Sequence, residues 1–363
     1  MPILKTAPAV FAVGKEYQIL VWTRPNVFAS VQAGDSVFYD AHSGVVNSLS
    51  SLHRIAVPME ILDRAGGYTL LLRPVVERIP YFTKTETVQS FFFPFYPVPE
   101  QNIRAFHISD AHGHIRGPLA AARAFGPMDA LILNGDLIDF CTNTRSFQNI
   151  YKLCAELTGG RIPVVFSRGN HDMRGRIAEK HLDYIPHQNR RTYYTFRLGS
   201  IWGVVLDCGE DKPDEHDAYG GTVACHSFRQ AQTAFLKEVI ANADQEYAEE
   251  GVTTRLVLSH IPFTEKNEPP FDIEEDIYRE WTALLKEHIK PHLMICGHTH
   301  QAELRPVGHL RDTYGQSCPV VIASGFDNQA YWTGCGFAFG ETEILITFTD
   351  SNGCVLRTFS IPK

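Results

Sequence analysis

The sequence predicts an α/β protein with a run of β-strands ahead of its strand–helix repeat. Three observations carry this. From Ile103 onward, short apolar runs alternate with segments of helical period. Residues 1–97 hold instead only short β-branched and aromatic runs parted by turn residues. Several apolar runs of the second region end in side chains that bind metals.

The 363 residues suit two domains, or one large one with an appendage. The division expected is a small all-β sandwich over 1–97 and an α/β unit over 98–363. At 44% hydrophobic and 20% charged, the chain can bury a sizeable core. A net charge of −8 and the lack of a Lys/Arg run argue against a nucleic-acid track. No apolar run approaches the roughly 20 residues of a membrane helix. Met1 to Gly14 lacks the apolar core of a secretory signal. Eight scattered cysteines, without a Cys-x-x-Cys pair, read as buried free thiols in a reducing compartment. A cytoplasmic protein is expected.

In the first region, Tyr17–Thr23, Ala29–Gln32, Ser36–Tyr39, His53–Pro58, Tyr68–Pro74 and Gln89–Phe95 read as strands. This region offers no convergent ligand spacing. Its expected role is to shape the rim of a site or to join copies into a homo-oligomer. Pro94, Pro97 and Pro99 then suggest a stiff linker.

Ile103–Ser109 is a strand, and Pro118 opens a helix where its missing N–H costs nothing. The apolar run of strand length within Asp129–Asn134 ends in Gly135-Asp136. Phe147, Ile150, Tyr151, Cys154 and Leu157 share a helical face that Gly159-Gly160 closes. Ile162–Ser167 is a third strand, followed by a helix near Arg176–Tyr184. Tyr193–Leu198 and Ile201–Asp207 form an antiparallel pair. Ser227 to Gln230 reads as a capping box opening a long helix. Arg255–Ser259 and His292–Cys296 are strands around a helix over Glu274–His288. Ile344–Thr349 and Val355–Ile361 close as a hairpin at Asn352-Gly353.

The strand ends carry the chemistry. They give Asp110-x-His112, then Asp136, then Asn170-His171-Asp172, then His260, and last His298-x-His300. In open α/β sheets ligands bind outside the carboxyl ends of strands. Residues two apart on extended backbone point the same way, so each spaced pair can converge. Oxygen and imidazole donors without thiolate suit Mn, Fe or Zn, and their number suits two divalent ions. Two close ions need a shared carboxylate, and Asp136 is the natural bridge.

The series Asp110-x-His112, Gly135-Asp136, Gly169-Asn170-His171-Asp172, His260, Gly297-His298-x-His300 resembles the calcineurin-like metallophosphoesterase family over about residues 103–330. The resemblance implies two packed mixed β-sheets flanked by helices. It implies that Asp110, His112, Asp136 and His300 hold one metal, and Asp136, Asn170, His260 and His298 the other. It leaves His171 facing the substrate. The all-β region ahead of it also resembles the layout of purple acid phosphatases, with a fibronectin-like sandwich. Those enzymes place a tyrosine ligand where this chain has Asp139, and lack a histidine at the position of His112. The resemblance therefore points to a divalent-metal enzyme without the coloured iron–tyrosinate pair.

The function so implied is hydrolysis of a phosphomonoester or phosphodiester in a small phosphorylated substrate. The metals lower the pKa of a shared water to give a hydroxide nucleophile. His171 is expected to protonate the leaving group. Asp172 either fixes the His171 tautomer or caps the following helix. Arg168 and Arg174 either clamp phosphate oxygens or lie as solvated surface arginines. The alternative is a non-catalytic, metal-stabilised scaffold of the same fold. The full set of ligand types favours the enzyme.

Overall fold

The computed structural model describes residues 3–326 and 331–363. The resemblance drawn above runs to about residue 330, so its last few positions lie outside the described residues. Two sheets face each other. In the 14-stranded sheet the central strands are Trp332–Phe339, Ile103–Ile108, Ala130–Asn134, Val164–Ser167 and Ala9–Val13, in that spatial order. The 6-stranded sheet runs Tyr194–Leu198, Ile201–Leu206, Thr254–Ser259, Leu293–Cys296, Val320–Ile322 and Glu303–Arg305.

Alternation along the strands builds the layers. Val10, Ala105, Ile132 and Val165 face inward, meeting Phe196, Leu256, Leu258 and Ile295 of the second sheet in one core. Their chain neighbours Phe11, Phe106, Leu131 and Phe166 turn outward, onto the helices Arg116–Phe125 and Gln148–Thr158. Trp202, Val257 and Met294 do the same beneath the helices Cys225–Ala241 and Glu275–Leu284. Buried on both faces, these strands read as continuous apolar runs. The two helix-flanked mixed sheets implied by the resemblance are present.

The all-β region is less separate than the 1–97 and 98–363 division suggests. Ala9–Val13 pairs in parallel with Val164–Ser167 at Phe11 and Val164, and antiparallel with the long strand Glu16–Ala33. The first sheet thus runs unbroken from the α/β unit into the N-terminal strands. Tyr17–Thr23 and Ala29–Gln32 are halves of that one strand, bent at the exposed Arg24-Pro25-Asn26. Its first half pairs with Ser50–Pro58 and its second with Gly67–Glu77. The proline segment is pinned as well, since Phe95 N–H donates to Gly66 O (3.0 Å) and Tyr96 N–H to Arg161 O (2.8 Å).

Two further local expectations change. The Cys225–Ala241 helix is not opened by a capping box; Asp214 accepts from Cys225 N–H (2.8 Å) and His226 N–H (3.0 Å) from across the preceding loop. The helix expected near 176–184 is a 3₁₀ turn, Ala178–Lys180, followed by the four-residue His181–Tyr184. The strand Trp332–Phe339 has no sequence signal, because Gly334 and Gly336 break its pattern. Those glycines leave room for the rings of Phe106 and Phe125, which a Cβ at either position would strike. All eight cysteines are free and seven are buried, as the composition led us to expect.

Candidate metal centre

Every expected ligand lies just past the carboxyl end of a parallel strand. Asp110 and His112 follow Ile103–Ile108, Asp136 follows Ala130–Asn134, and Asn170 follows Val164–Ser167. From the facing sheet, His260 follows Thr254–Ser259, and His298 and His300 follow Leu293–Cys296. The strands within each sheet are parallel here, so their carboxyl ends share one edge.

The spaced pairs do not converge by extended backbone, as the spacing suggested. The strands stop at Ile108 and Cys296, and the ligands sit on tight loops beyond them. Asp110, His112, Asp136, His298 and His300 all have left-handed φ, between 43° and 69°. Such conformations cost of order 1–3 kcal/mol each and persist at functional sites where surroundings over-determine them. Close approach of neighbouring loops imposes two glycines. A Cβ at Gly135 (φ 81°) would lie 2.7 Å from Gly169 Cα, and one at Gly297 would collide with Ser109 and Asp110.

Two ligand trios result. Ligand atoms of Asp110, His112 and His300 lie within 4.8 Å of one another, and so do those of Asp136, His260 and His298. His112 Nε2 faces His300 Nε2 at 3.4 Å, and His300 Nε2 stands 3.2 Å from Asp110 Oδ1. His260 Nε2 is 3.1 Å from Asp136 Oδ2 and 3.8 Å from Asp110 Oδ1, which joins the trios. Asn170 Oδ1 lies 3.1 Å from His298 Nδ1.

The donor set fits metal ions. His260 Nδ1–H donates to Asn134 O (2.7 Å), which turns Nε2 toward the carboxylates. That buried Nε2 has no hydrogen-bond partner among the described residues. Burial pulls the His260 imidazole down, but Asp136 and Asp110 outweigh it and hold it at about 10. Burial raises the Asp136 carboxyl, yet the neighbouring His260, His171 and His298 bring it well below the ordinary carboxylate range. Asp110 and Asp136 bring two carboxylates together at the strand ends, and a cation relieves their repulsion.

Asp172 takes a different place from the one expected. Its Oδ2 accepts the Asp136 N–H (3.0 Å) and the Gly169 N–H (2.9 Å), so it ties two ligand loops together. Burial and the Asp136 charge push it up to about 7. The carboxylate beside the His171 ring is Asp139, whose Oδ1 lies 3.4 Å from His171 Nδ1 and 3.3 Å from His112 Nδ1. In the sequence it stands three residues after Asp136. His171 Nδ1–H also has the Asp139 carbonyl at 3.2 Å, and Arg174 Nη1 donates to His171 Nε2 (3.0 Å).

The two arginines part company. Glu210 grips Arg174 with both carboxylate oxygens (2.9 and 2.7 Å), aiming the guanidinium at His171. Arg168 is bound to Asp207 (2.8 Å) and lies over the Phe228 ring, one wall of a cavity of about 940 Å³ that Arg174 also lines. Asp207, Glu210 and Asp211 had no signal in the sequence. Behind Asp110, Ser109 Oγ donates to its Oδ2, and the Ser324 hydroxyl receives the Ser109 N–H (2.5 Å) and lies 3.1 Å from His107 Nδ1.

A known structure shares the fold, and others align with part of the chain. A purple acid phosphatase from yellow lupin (Lupinus luteus) seeds aligns over 99% of this chain and 75% of its own, with 14% identity and a TM-score of 0.64. A predicted phosphoesterase from Streptococcus pneumoniae TIGR4 covers 72% of this chain and 98% of its own, at 11% identity and a TM-score of 0.34. Zinc-complexed Vps29 from Entamoeba histolytica covers 72% and 99%, at 11% identity and a TM-score of 0.32. No curated protein matches the chain. The family model described as calcineurin-like phosphoesterase matches residues 103–302, the span that carries every strand-end ligand. The chain belongs to the calcineurin-like phosphoesterase family.

Proposed function

We propose that the protein is a metal-dependent phosphohydrolase that cleaves a phosphoester bond of a small phosphorylated substrate at a two-metal centre. The observation that carries this is the convergence of the two trios, Asp110–His112–His300 and Asp136–His260–His298, at one edge of the facing sheets. Asp110, His112, Asp136 and His300 would hold one ion, and Asp136, Asn170, His260 and His298 the other. Donors of only oxygen and imidazole suit Mn, Fe or Zn. When bound, such ions lower the pKa of water and neutralise phosphate charge.

The remaining work falls to the chain itself. Nδ1 of His171 faces Asp139 and its Nε2 accepts from Arg174 Nη1. His171 would therefore serve as the acid in its doubly protonated form, giving the Nε2 proton to the leaving oxygen when the phosphate draws Arg174 away. Arg174, fixed through Nε and Nη2 by Glu210, holds Nη1 beside that nitrogen as a cationic donor to a phosphate oxygen. Asp172 keeps the Asp136 and Gly169 loops in register. Seven buried free thiols fit a reducing, cytoplasmic setting. The intact ligand set favours this enzyme over a scaffold that merely binds metal. The test is metal-stripped protein reconstituted with Mn, Fe or Zn and assayed on phosphomonoesters and phosphodiesters. Turnover that depends on added metal is expected; none with any metal would overturn the proposal.

A further inference from the structure

The candidate proton donor has a cavity beside it. The space of about 940 Å³ that Arg168 and Arg174 line begins next to His171, because Arg174 Nη1 lies 3.0 Å from His171 Nε2 and Met173, two residues on, is in its wall. A leaving oxygen that takes its proton at His171 therefore has its carbon substituent at this opening. Met173, Val223 and Phe228, all half-buried, give the wall its apolar surface.

The cations in the lining do not call for a second anionic group. Asp207 matches Arg168, Glu210 matches Arg174 and Asp211 matches Lys212, while the exposed Arg176 and Glu179 balance each other in charge. What the wall presents is flat surface held still. Asp207, 1% exposed, pins Arg168 through Nε (2.8 Å), and the guanidinium carbon lies 5.5 Å from the centre of the Phe228 ring. Phe228 is fixed in turn against Tyr193, edge to face at 5.5 Å. Among the described residues, nothing accepts a hydrogen bond from the Nη atoms of Arg168. A ring laid on a guanidinium face leaves such in-plane N–H groups to water, so the stacking costs no hydrogen bond. A puckered aliphatic ring cannot make that contact over its whole area.

We infer that this cavity receives the alcohol portion of the substrate, and that it selects an alcohol carrying a flat aromatic ring, seated on Phe228 and the Arg168 guanidinium. The inference rests on the phosphohydrolase reading and narrows it to a substrate class.

The experiment measures kcat/KM of the metal-reconstituted full chain on 2-phenylethyl and 2-cyclohexylethyl phosphates, as monoesters and as methyl diesters. The two alcohols match in size, and both leave as primary alkoxides two carbons from the ring, so they make the same demand on the proton donor. The phenylethyl ester is expected to be favoured by about three- to thirtyfold, the span of a cation–π contact between exposed and desolvated settings. Phe228→Leu should bring that ratio toward one. Because Phe228 also packs on Tyr193, a second variant is read beside it. Arg168→Lys keeps a cation for Asp207 but removes the planar face, and it too should bring the ratio toward one. Where one variant fails to fold, the other decides. Equal rates for the two esters in the unaltered chain, or a preference that survives in a folded variant, overturn the subsite while leaving the phosphohydrolase standing. No turnover of any ester overturns both.

Discussion

Asp139 Oδ1 lies 3.4 Å from Nδ1 of His171, and the same oxygen is 3.3 Å from Nδ1 of His112. One carboxylate therefore orients a candidate metal ligand and the candidate proton donor together. His171→Ala should leave metal content unchanged and lower turnover of alkyl esters by roughly 10²–10⁴-fold. Nitrophenolate leaves without a proton, so nitrophenyl esters should keep most of their rate. Asp139→Asn should cost about 10–100-fold, as loss of a supporting carboxylate does. Equal losses for His171→Ala on both ester classes would assign His171 to phosphate positioning instead.

Asp136 stands within reach of both halves of the centre, because His260 Nε2 connects it with Asp110. Reconstituted protein should carry two divalent ions per chain, and Asp136→Asn should lose both. Elemental analysis decides this; a variant that retains both ions would remove the bridging role.

Three residues after Asp136 stands Asp139 rather than a tyrosine. Protein loaded with iron should show no intense visible charge-transfer band. A purple sample would mean that a tyrosine elsewhere in the chain had been recruited.

Phe11 is fully buried, sits opposite Val164 in the sheet, and meets Phe166 edge-on at 6.3 Å. Phe11→Ala should cost about 3–5 kcal/mol, the usual price of emptying a packed aromatic site. The whole molecule should melt earlier in one transition, since the N-terminal strands share the sheet. Calorimetry that resolves a separate early transition, with the remainder unchanged, would contradict that continuity.

His181 lies buried beside the rings of Phe147 and Phe166, and neither ring nitrogen has a partner among the described residues. Burial, with Arg168 nearby, lowers it to about 3. The unfolded chain takes up this proton near pH 6.5 and the folded one does not. Stability should therefore fall as pH drops from 6.5 toward 3, by about 1.4 kcal/mol per pH unit for this group. His181→Phe should flatten that fall. Urea unfolding at pH 7, 5.5 and 4.5 measures it, and an unchanged slope would show that His181 is protonated in the fold.

The sequence alone determined the α/β unit and all seven candidate ligands. Buried parallel strands must be apolar throughout, and a group that binds metal must follow at their mouths, so both are written locally. Asp110, His112, Asp136, Asn170, His260, His298 and His300 were legible because each stands shortly after an apolar run. Only the tertiary structure decided what depends on distant neighbours. Asp139 lies beside His171 because a loop turns back; Asp172 serves backbone N–H groups because burial gives it no other donors. Glu210 and Asp211 reach the site from the facing sheet, with no periodicity to mark them. The N-terminal strands join the sheet of the α/β unit through a pairing between Phe11 and Val164, more than a hundred residues apart. Strand pairing at that separation is decided by shape and burial in the assembled sheet, and no local pattern encodes it.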